Sequence, residues 1–537
     1  MLLPSLLVVV AAAPPNFSPG LYEGDLRLST GTVSVSLKLR RSMLDGHIDM
    51  PELGLRRHPL TAMVVDGNML RFDLPGLPGA PRFTLKWMDQ RFEGVYGQGG
   101  QTHPIQLPKT TAGHRLTKAL RGLAPAINAA LAKDGAGGLS YAVILEGEVR
   151  FDSFEGPRNA GPRITERTPF ALGHLGRAIV SIAAAAWLES NDRWTWSTPI
   201  TSVLPYFRLD RPDGGARATL ASLLTGKLPI AEHAVAKDAL GAADPATVLL
   251  RLGALPLATS FQESDWMYAV IGQLLADPPG ESDGAGAVER FLSTYTLDFS
   301  YPTPASGRGA VPFRAAADLQ GSTRALANLV RIYLGHAVLQ PSTWNRIETS
   351  GVGGWTNGHR RGFRTRRTTE RSSSASATML LAPDDDAGVV VFVHRAQSPL
   401  SDLLADHLLE RLLELVPAVD LAFAVQTPST ERSRGPRIPA QVKRTRPAHR
   451  LSDYTGVFVH PGYGRLIVEN NSGRLGVRLG PLAAPLAHWH FETFVSDAKE
   501  SFPAAPWTFI TSVEGRIDAV ESPLEPRVPP IRFARSR

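Results

Sequence analysis

Three patterns of apolar and polar positions follow one another along the chain. From 20 to 107, short segments alternate apolar and polar residues (DLRLS, VSVSLKL, TAMVV, MLRFDL, FTLKW), broken by Asp45-Gly46 and Asp66-Gly67. A period of two sends alternate side chains to a core and to water, and Asp-Gly supplies the positive φ of tight hairpins, so a β-meander is predicted. From about 116 to 416 strand-like and helix-like signals mix. LSYAVILEGEVRFDSFEG (139–156) reads as two strands about a turn at Gly147, AIVSIAAAAWL (178–188) as a buried helix, and STRALANLVRIYLG (322–335) as an amphipathic one. GVVVFVH (388–394) is predicted as a buried strand and 400–415 as a closing helix. Residues 426–449 hold Pro, Arg, Ser and Thr with no apolar face, which predicts an extended linker. Beyond it alternation resumes in RLIVEN and RLGVRL.

A length of 537 residues with 43% hydrophobic and 20% charged residues predicts several globular domains. The net charge of +7 is uneven, because arginines gather at 360–371 and 432–450. Neither stretch carries interleaved aromatics or a recognition motif, so they are read as a solvated loop and a linker, and no nucleic-acid partner is expected. The absence of cysteine excludes disulfides, thiolate metal sites and cysteine nucleophiles. No phosphate-binding glycine loop or H-E-x-x-H occurs, so neither cofactor nor metal is expected. His488-x-His490 lacks carboxylates at ligand spacing, and Ser496-Asp497-Ala498-Lys499, a literal S-x-x-K, has no helix after it. Residues 1–13 read as the apolar part of a signal peptide, and no later stretch reaches the ~18 apolar residues of a membrane-spanning helix. The expected location is therefore outside the cytoplasm, periplasmic or extracellular.

Phe170-Ala171-Leu172-Gly173-His174-Leu175-Gly176-Arg177, followed by the apolar helix, resembles the F-x-x-G-S-x-x-K run of the β-lactamase-related serine hydrolases, the superfamily of class C β-lactamases, penicillin-binding proteins and DD-peptidases. TPITSVLPYF (198–207) resembles that family's D-P-V-x-x-Y-L-P stretch without its acid. The resemblance implies an α+β fold for 116–418, an α/β sandwich on an antiparallel sheet. Phe92-Glu93-Gly94-Val95-Tyr96-Gly97 resembles the closing strands of small β-barrel domains that precede some relatives. Leu451-Ser452-Asp453-Tyr454-Thr455-Gly456, with Gly462-Tyr463-Gly464, resembles the small β-domain appended to many others. Barrel-like domains are accordingly expected at 17–108 and 450–537.

The resemblance also places four groups of chemical residues, and each is altered. His174 stands where the nucleophilic serine would be and Arg177 where the lysine would be. Arginine holds its proton at any working pH and cannot replace lysine as a base. With register set by Tyr268 and Gly272, Glu263 replaces the tyrosine of Y-x-N and Asp265 its asparagine. Leu223 to Pro229 keeps the flanks of the H-T-S-G loop but is two residues short. The K/H-x-G strand, which in the family lies beside the substrate and helps form the oxyanion hole, falls at Thr368-Thr369-Glu370, with no H-x-G or K-T-G nearby.

Catalytic residues are therefore not expected at His174, Arg177, Glu263 and Asp265, and the leading expectation is an inactive relative serving as a binding or structural module in the cell envelope. Its ligand, by analogy, would be a peptidoglycan-like peptide or a small molecule. The alternative is a hydrolase of esters, amides or peptides with a rebuilt site, His174 acting as base and Glu263 or Asp265 orienting it. A third reading makes the outer domains architectural. A buried Arg177 would need a carboxylate partner, Glu263 or Asp265.

Overall fold

The computed structural model describes residues 17–39, 46–156, 163–240, 243–258, 263–276, 279, 284–302, 313–350, 353–372, 374–421, 438–496, 503–525 and 528–536. The apolar opening segment, Phe261-Gln262, residues 426–437 of the expected linker and Asp497 to Lys499 lie outside them. Among the described residues no helix is long and apolar enough to cross a membrane.

The alternating N-terminal segments form a nine-stranded antiparallel sheet that curls until it is nearly closed. Its first strand, Gly20–Leu28, pairs on one side with Gly31–Leu39 and on the other with the last, Gln101–Thr110. Inward positions supply a core of Tyr22, Phe72, Phe83, Phe92 and Tyr96, with the Phe72 and Phe83 rings stacked at 4.9 Å. The sheet is tied to the rest of the chain by charge. Lys38, itself buried, and Arg115 share one carboxylate oxygen of Glu146 at 3.0 and 2.8 Å.

The central domain is built on six antiparallel strands in the order Glu148–Glu155, Gly138–Leu145, Ala387–Val393, Ser376–Ala382, Phe363–Arg371, Thr356–Arg360. Every residue of the second, third and fourth of these is buried, because helices cover both faces. On one side lies the helix Leu400–Leu412, whose Leu404, Leu408 and Leu412 repeat every four residues, with Ala112–Leu120 and Ala124–Asp134 beside it. Thr323–Gly335 and Gly176–Glu189 lie on the other.

The arginines at 360–371 are not a solvated loop, as their polarity suggested, but a β-hairpin at the sheet edge. Their partners are remote in sequence. Arg367 and Arg371 pair with Asp402, Arg367 and Arg360 with Asp406, Arg360 with Glu410, and Arg364 with Asp384. Arg366 is fully buried between the Tyr333 and Trp355 rings, 3.5 Å from Glu348. Acids on one helix and one turn thus neutralise the basic strand.

The C-terminal alternation closes into an eight-stranded barrel, from Gly456–His460 to Ile531–Arg535, around Tyr454, Phe458, Phe494, Trp507 and Phe533. The described part of the expected linker, 438–449, is not free chain. Trp489 donates its indole N–H to Pro439 O at 2.9 Å, and Ala448 N donates to Glu492 at 2.8 Å. The barrel is also fused to the centre. Its apolar core is continuous with that of the central domain, and His233 Nδ1 meets the Tyr463 hydroxyl at 2.8 Å. Glu525 accepts the Val235 amide of the helix Ala234–Leu240 at 2.7 Å. The barrel and the central domain thus share one apolar core.

Candidate functional site

The helix Gly176–Glu189 carries small and aliphatic residues around its whole circumference, so it is buried nearly throughout and fixes what precedes it. A 3-10 turn, Gly173–Leu175, opens it, with Gly173 in the left-handed region at φ +47°. His174 sits on this turn with a half-exposed side chain. Arg177, one turn on, is 9% exposed and points inward. Partial burial and the neighbouring Arg177 cation push the His174 imidazole below its usual pKa, against the pull of Glu370 and Asp265.

Arg177 pairs with Asp265, as a buried guanidinium requires, and Lys237 binds the other oxygen of the same carboxylate. Asp265 opens the helix Asp265–Leu275 behind the N-cap Ser264, so the helix start adds to the field that favours its charge. Burial pushes Asp265 up, but Lys237 and Arg177 prevail and hold it at about 2. Glu232 lies beside this trio. It accepts the Asp265 amide at 2.7 Å and stands 3.9 Å from Arg177. Burial, reinforced by the Asp265 charge, raises it to about 7.

Glu263 is brought to the same region but not onto Arg177. Its carboxylate takes the amides of Gly353 and Gly354 at 3.0 Å, and the Tyr268 hydroxyl donates to it as well. Gly353 and Gly354 have φ of +88° and +72°, the left-handed geometry that turns consecutive N–H groups toward one anion. The Tyr268 hydroxyl, wholly buried against this carboxylate, is held far above its ordinary pKa.

The fourth group is Glu370 on the strand Phe363–Arg371. Alternation along that strand sends Arg367 and Arg371 toward the helix Leu400–Leu412 and Glu370 toward the His174 turn. The His174 amide donates to Glu370 Oε2 at 2.6 Å, and His174 Nδ1 lies 3.7 Å from that oxygen. The short loop at 223–229 has Leu223 and Leu224 buried, and Thr225 turns its hydroxyl back to Ala221 O. Elsewhere, His488 bonds Phe491 O and His490 accepts the Val442 amide, so these two imidazoles serve local structure. Ser496 is buried in the barrel, accepting the Trp507 indole N–H. Among the described residues no group of three His, Asp or Glu is placed to hold a metal.

The structure thus gathers His174, Arg177, Glu263 and Asp265, and adds Glu232, Lys237, Tyr268 and Glu370. Glu232 and Lys237 belong to no motif. Glu232 precedes the helix Ala234–Leu240 and Lys237 lies within it, and nothing in that placement joins them to Asp265. Tyr268 served to set register and carried no role of its own.

Two family profiles match the chain. The profile described as "Domain of unknown function (DUF3471)" covers residues 440–535, and the "Beta-lactamase" profile covers 123–413. No curated protein matches. Among solved structures, an octameric penicillin-binding protein homologue from Pyrococcus abyssi is 16% identical over 76% of this chain and 98% of its own, with a TM-score of 0.47. A class C beta lactamase from Rhodobacter sphaeroides is 18% identical over 56% and 98%, at 0.41, and SurE with D-Leu 15% identical over 79% and 100%, at 0.46. With TM-scores below 0.5 these likenesses add no argument, and the assignment rests on the profile, which spans more than half of the 537 residues. The chain belongs to the beta-lactamase family.

Proposed function

We propose that this protein is an exported, catalytically inactive β-lactamase relative whose central domain serves as a binding or structural module of the cell envelope. One observation carries the reading: the backbone amide at the nucleophile's position is occupied by the protein's own Glu370 carboxylate, while that position offers an imidazole in place of a hydroxyl. Around it, Arg177 and Lys237 are neutralised by Asp265, so neither amine nor guanidinium is available as a base. The family's clefts suggest a peptidoglycan-like peptide or small molecule as the ligand class. Incubating the whole protein with a fluorescent penicillin and an activated ester should leave no covalently labelled band. Labelling at any serine would overturn the reading. Export is supported by the apolar segment 1–13 and is tested by cell fractionation.

The half-exposed His174 supports a second reading, a hydrolase in which the imidazole acts as base toward water. Glu370, rather than Glu263 or Asp265, is then its nearest carboxylate. At 3.7 Å that contact is too long to fix a tautomer, and the same oxygen is already engaged by the His174 amide. Unchanged turnover of an ester and amide panel by His174→Ala would remove this reading.

Rebuilding the lost pair is expected to fail. His174→Ser with Arg177→Lys restores serine and lysine, but the new lysine would face Asp265 beside Lys237 and stay an ammonium, Glu263 would still replace tyrosine, and Glu370 would still hold the amide. Catalytic groups act as a unit, so two recovered members should give nitrocefin hydrolysis at the level of the unaltered protein. Turnover approaching that of a functional relative would show the remaining site to be intact.

A further inference from the structure

We infer that the end of the C-terminal barrel turned away from the central domain is a peripheral docking surface for an anionic phospholipid membrane, formed by the exposed side chains of Phe491 and Val513 and the basic strap at 438–446. The inference goes beyond the reading above and does not depend on the protein being inactive.

The barrel has one end against the centre and one away from it. Its turns at 461–463 and 480–481 meet the central domain: Tyr463 reaches His233 at 2.8 Å, and a Cβ on Gly480 would lie 2.3 Å from Ala239 O. Because neighbouring strands run antiparallel, the turns at 472–473, 491–492 and 512–516 emerge at the opposite end. Two of them present apolar side chains to water. Phe491 is 57% exposed and Val513 fully exposed. Phe491 has a φ of +45°, a conformation that glycine adopts at lower cost, and its ring meets His490 at 5.7 Å.

The strap brings the charge. The Phe491 amide donates to Thr445 Oγ1 at 3.3 Å, and His449 Nε2 meets Gly515 O at 3.0 Å, which pins this segment across both turns. Val442, 46% exposed, adds a third apolar side chain. Lys443, Arg444 and Arg446 are exposed, and among the described residues none of them pairs with a carboxylate. Nearby acids do not cancel them. Glu492 takes the Ala448 amide and the Tyr454 hydroxyl, Glu514 lies 3.5 Å from Arg516, and the exposed Asp518 is matched by Arg474 beside the turn at 472–473.

Exposed apolar residues scattered singly are ordinary, but here three converge with uncompensated cations on one end of one domain. Anionic headgroups complement the cations, and the acyl boundary beneath them takes Phe491, Val513 and Val442 out of water. A nucleic acid would use the cations and the phenyl ring but leave both valines facing phosphate and solvent.

The test mixes the full chain with vesicles of phosphatidylglycerol and phosphatidylcholine in equal parts, or of phosphatidylcholine alone, and measures the bound fraction by flotation. Binding to the anionic vesicles, weakened by sodium chloride, and none to the neutral ones is expected. The triple variant Lys443→Gln, Arg444→Gln, Arg446→Gln should bind the anionic vesicles roughly a hundredfold more weakly. Phe491→Gly with Val513→Ser should bind them roughly tenfold more weakly. Its melting temperature should not fall, because glycine relaxes the positive φ, so a folding defect does not account for the loss. No binding to anionic vesicles, equal binding to both kinds, or undiminished binding by either variant overturns the proposal. So does a protein that leaves vesicles untouched yet binds a single-stranded oligonucleotide through the same three cations.

Discussion

Asp265→Ala should destabilise the protein by about 3–5 kcal/mol, because it strips the shared counter-charge from a buried arginine and a largely buried lysine. The loss is expected to depend on pH through Glu232. Burial and the Asp265 charge hold Glu232 at about 7, so at pH 6 it is mostly neutral. Without Asp265 its second source of elevation disappears, it ionises at lower pH, and from 3.9 Å it can take over part of the neutralisation of Arg177. Asp265→Ala should therefore be milder at pH 8 than at pH 6. Adding Glu232→Gln should cost more than the two single losses together. The signs in the unaltered protein follow from linkage. Asp265, lowered from 3.8 to about 2, contributes stability that is present above its ordinary value and lost as pH falls through 2. Glu232, raised from 4.5 to about 7, contributes stability present at low pH and lost as pH rises through 7. Urea unfolding of the four proteins at pH 6 and 8 measures all of these terms. Additive losses would show that Glu232 and Asp265 are energetically independent.

What could be read from the sequence was whatever repeats locally. Alternation marked both outer β-domains, and the apolar run 178–188 marked the helix that carries the site. The F-x-x-G frame located His174 and Arg177, and Gly272 with Tyr268 located Glu263 and Asp265. The strand register at Thr368-Thr369-Glu370 also falls on the strand that reaches the His174 turn. What could not be read depends on partners distant in the chain. The arginines of 360–371 resemble a solvated loop because their counter-charges, Asp384, Asp402, Asp406 and Glu410, follow 20 to 50 residues later. Lys237 becomes part of the site only through a contact spanning 28 residues to Asp265. Glu263 is satisfied by two backbone amides, and a left-handed Gly-Gly pair in a loop leaves no trace in hydrophobic periodicity. The fusion of the barrel to the centre was hidden for the same reason, since Tyr463 meets a histidine 230 residues away.

That fusion gives the second large effect, a loss of stability between pH 6.5 and 8 that Glu525→Gln should substantially reduce. Glu525 leaves the barrel to meet the first amides of the helix Ala234–Leu240, and it faces Tyr463 as well. Burial raises its carboxyl to about 8 even though the helix amides favour its charge. The folded protein thus keeps a proton that the unfolded chain releases near 4.5, so this contribution is present at low pH and lost as pH rises through 8. His233 acts in the opposite sense. Burial lowers it to about 4, so stability rises with pH from 4 to its ordinary value of 6.5. The two slopes oppose each other below 6.5, and above it only the fall remains, shared by Glu525 and Glu232. At roughly 1.4 kcal/mol per unit of pKa difference, the decline should amount to a few kcal/mol. Melting temperatures of the unaltered protein and Glu525→Gln across pH 5–9 measure it, and equal slopes above 6.5 would overturn the assignment. The consequence reaches the site, because the helix that Glu525 meets also presents Lys237 to Asp265. Deprotonating the interface should loosen that ion pair, so Glu525→Gln is expected to preserve at pH 8 the ion-pair network that the unaltered protein holds at pH 6.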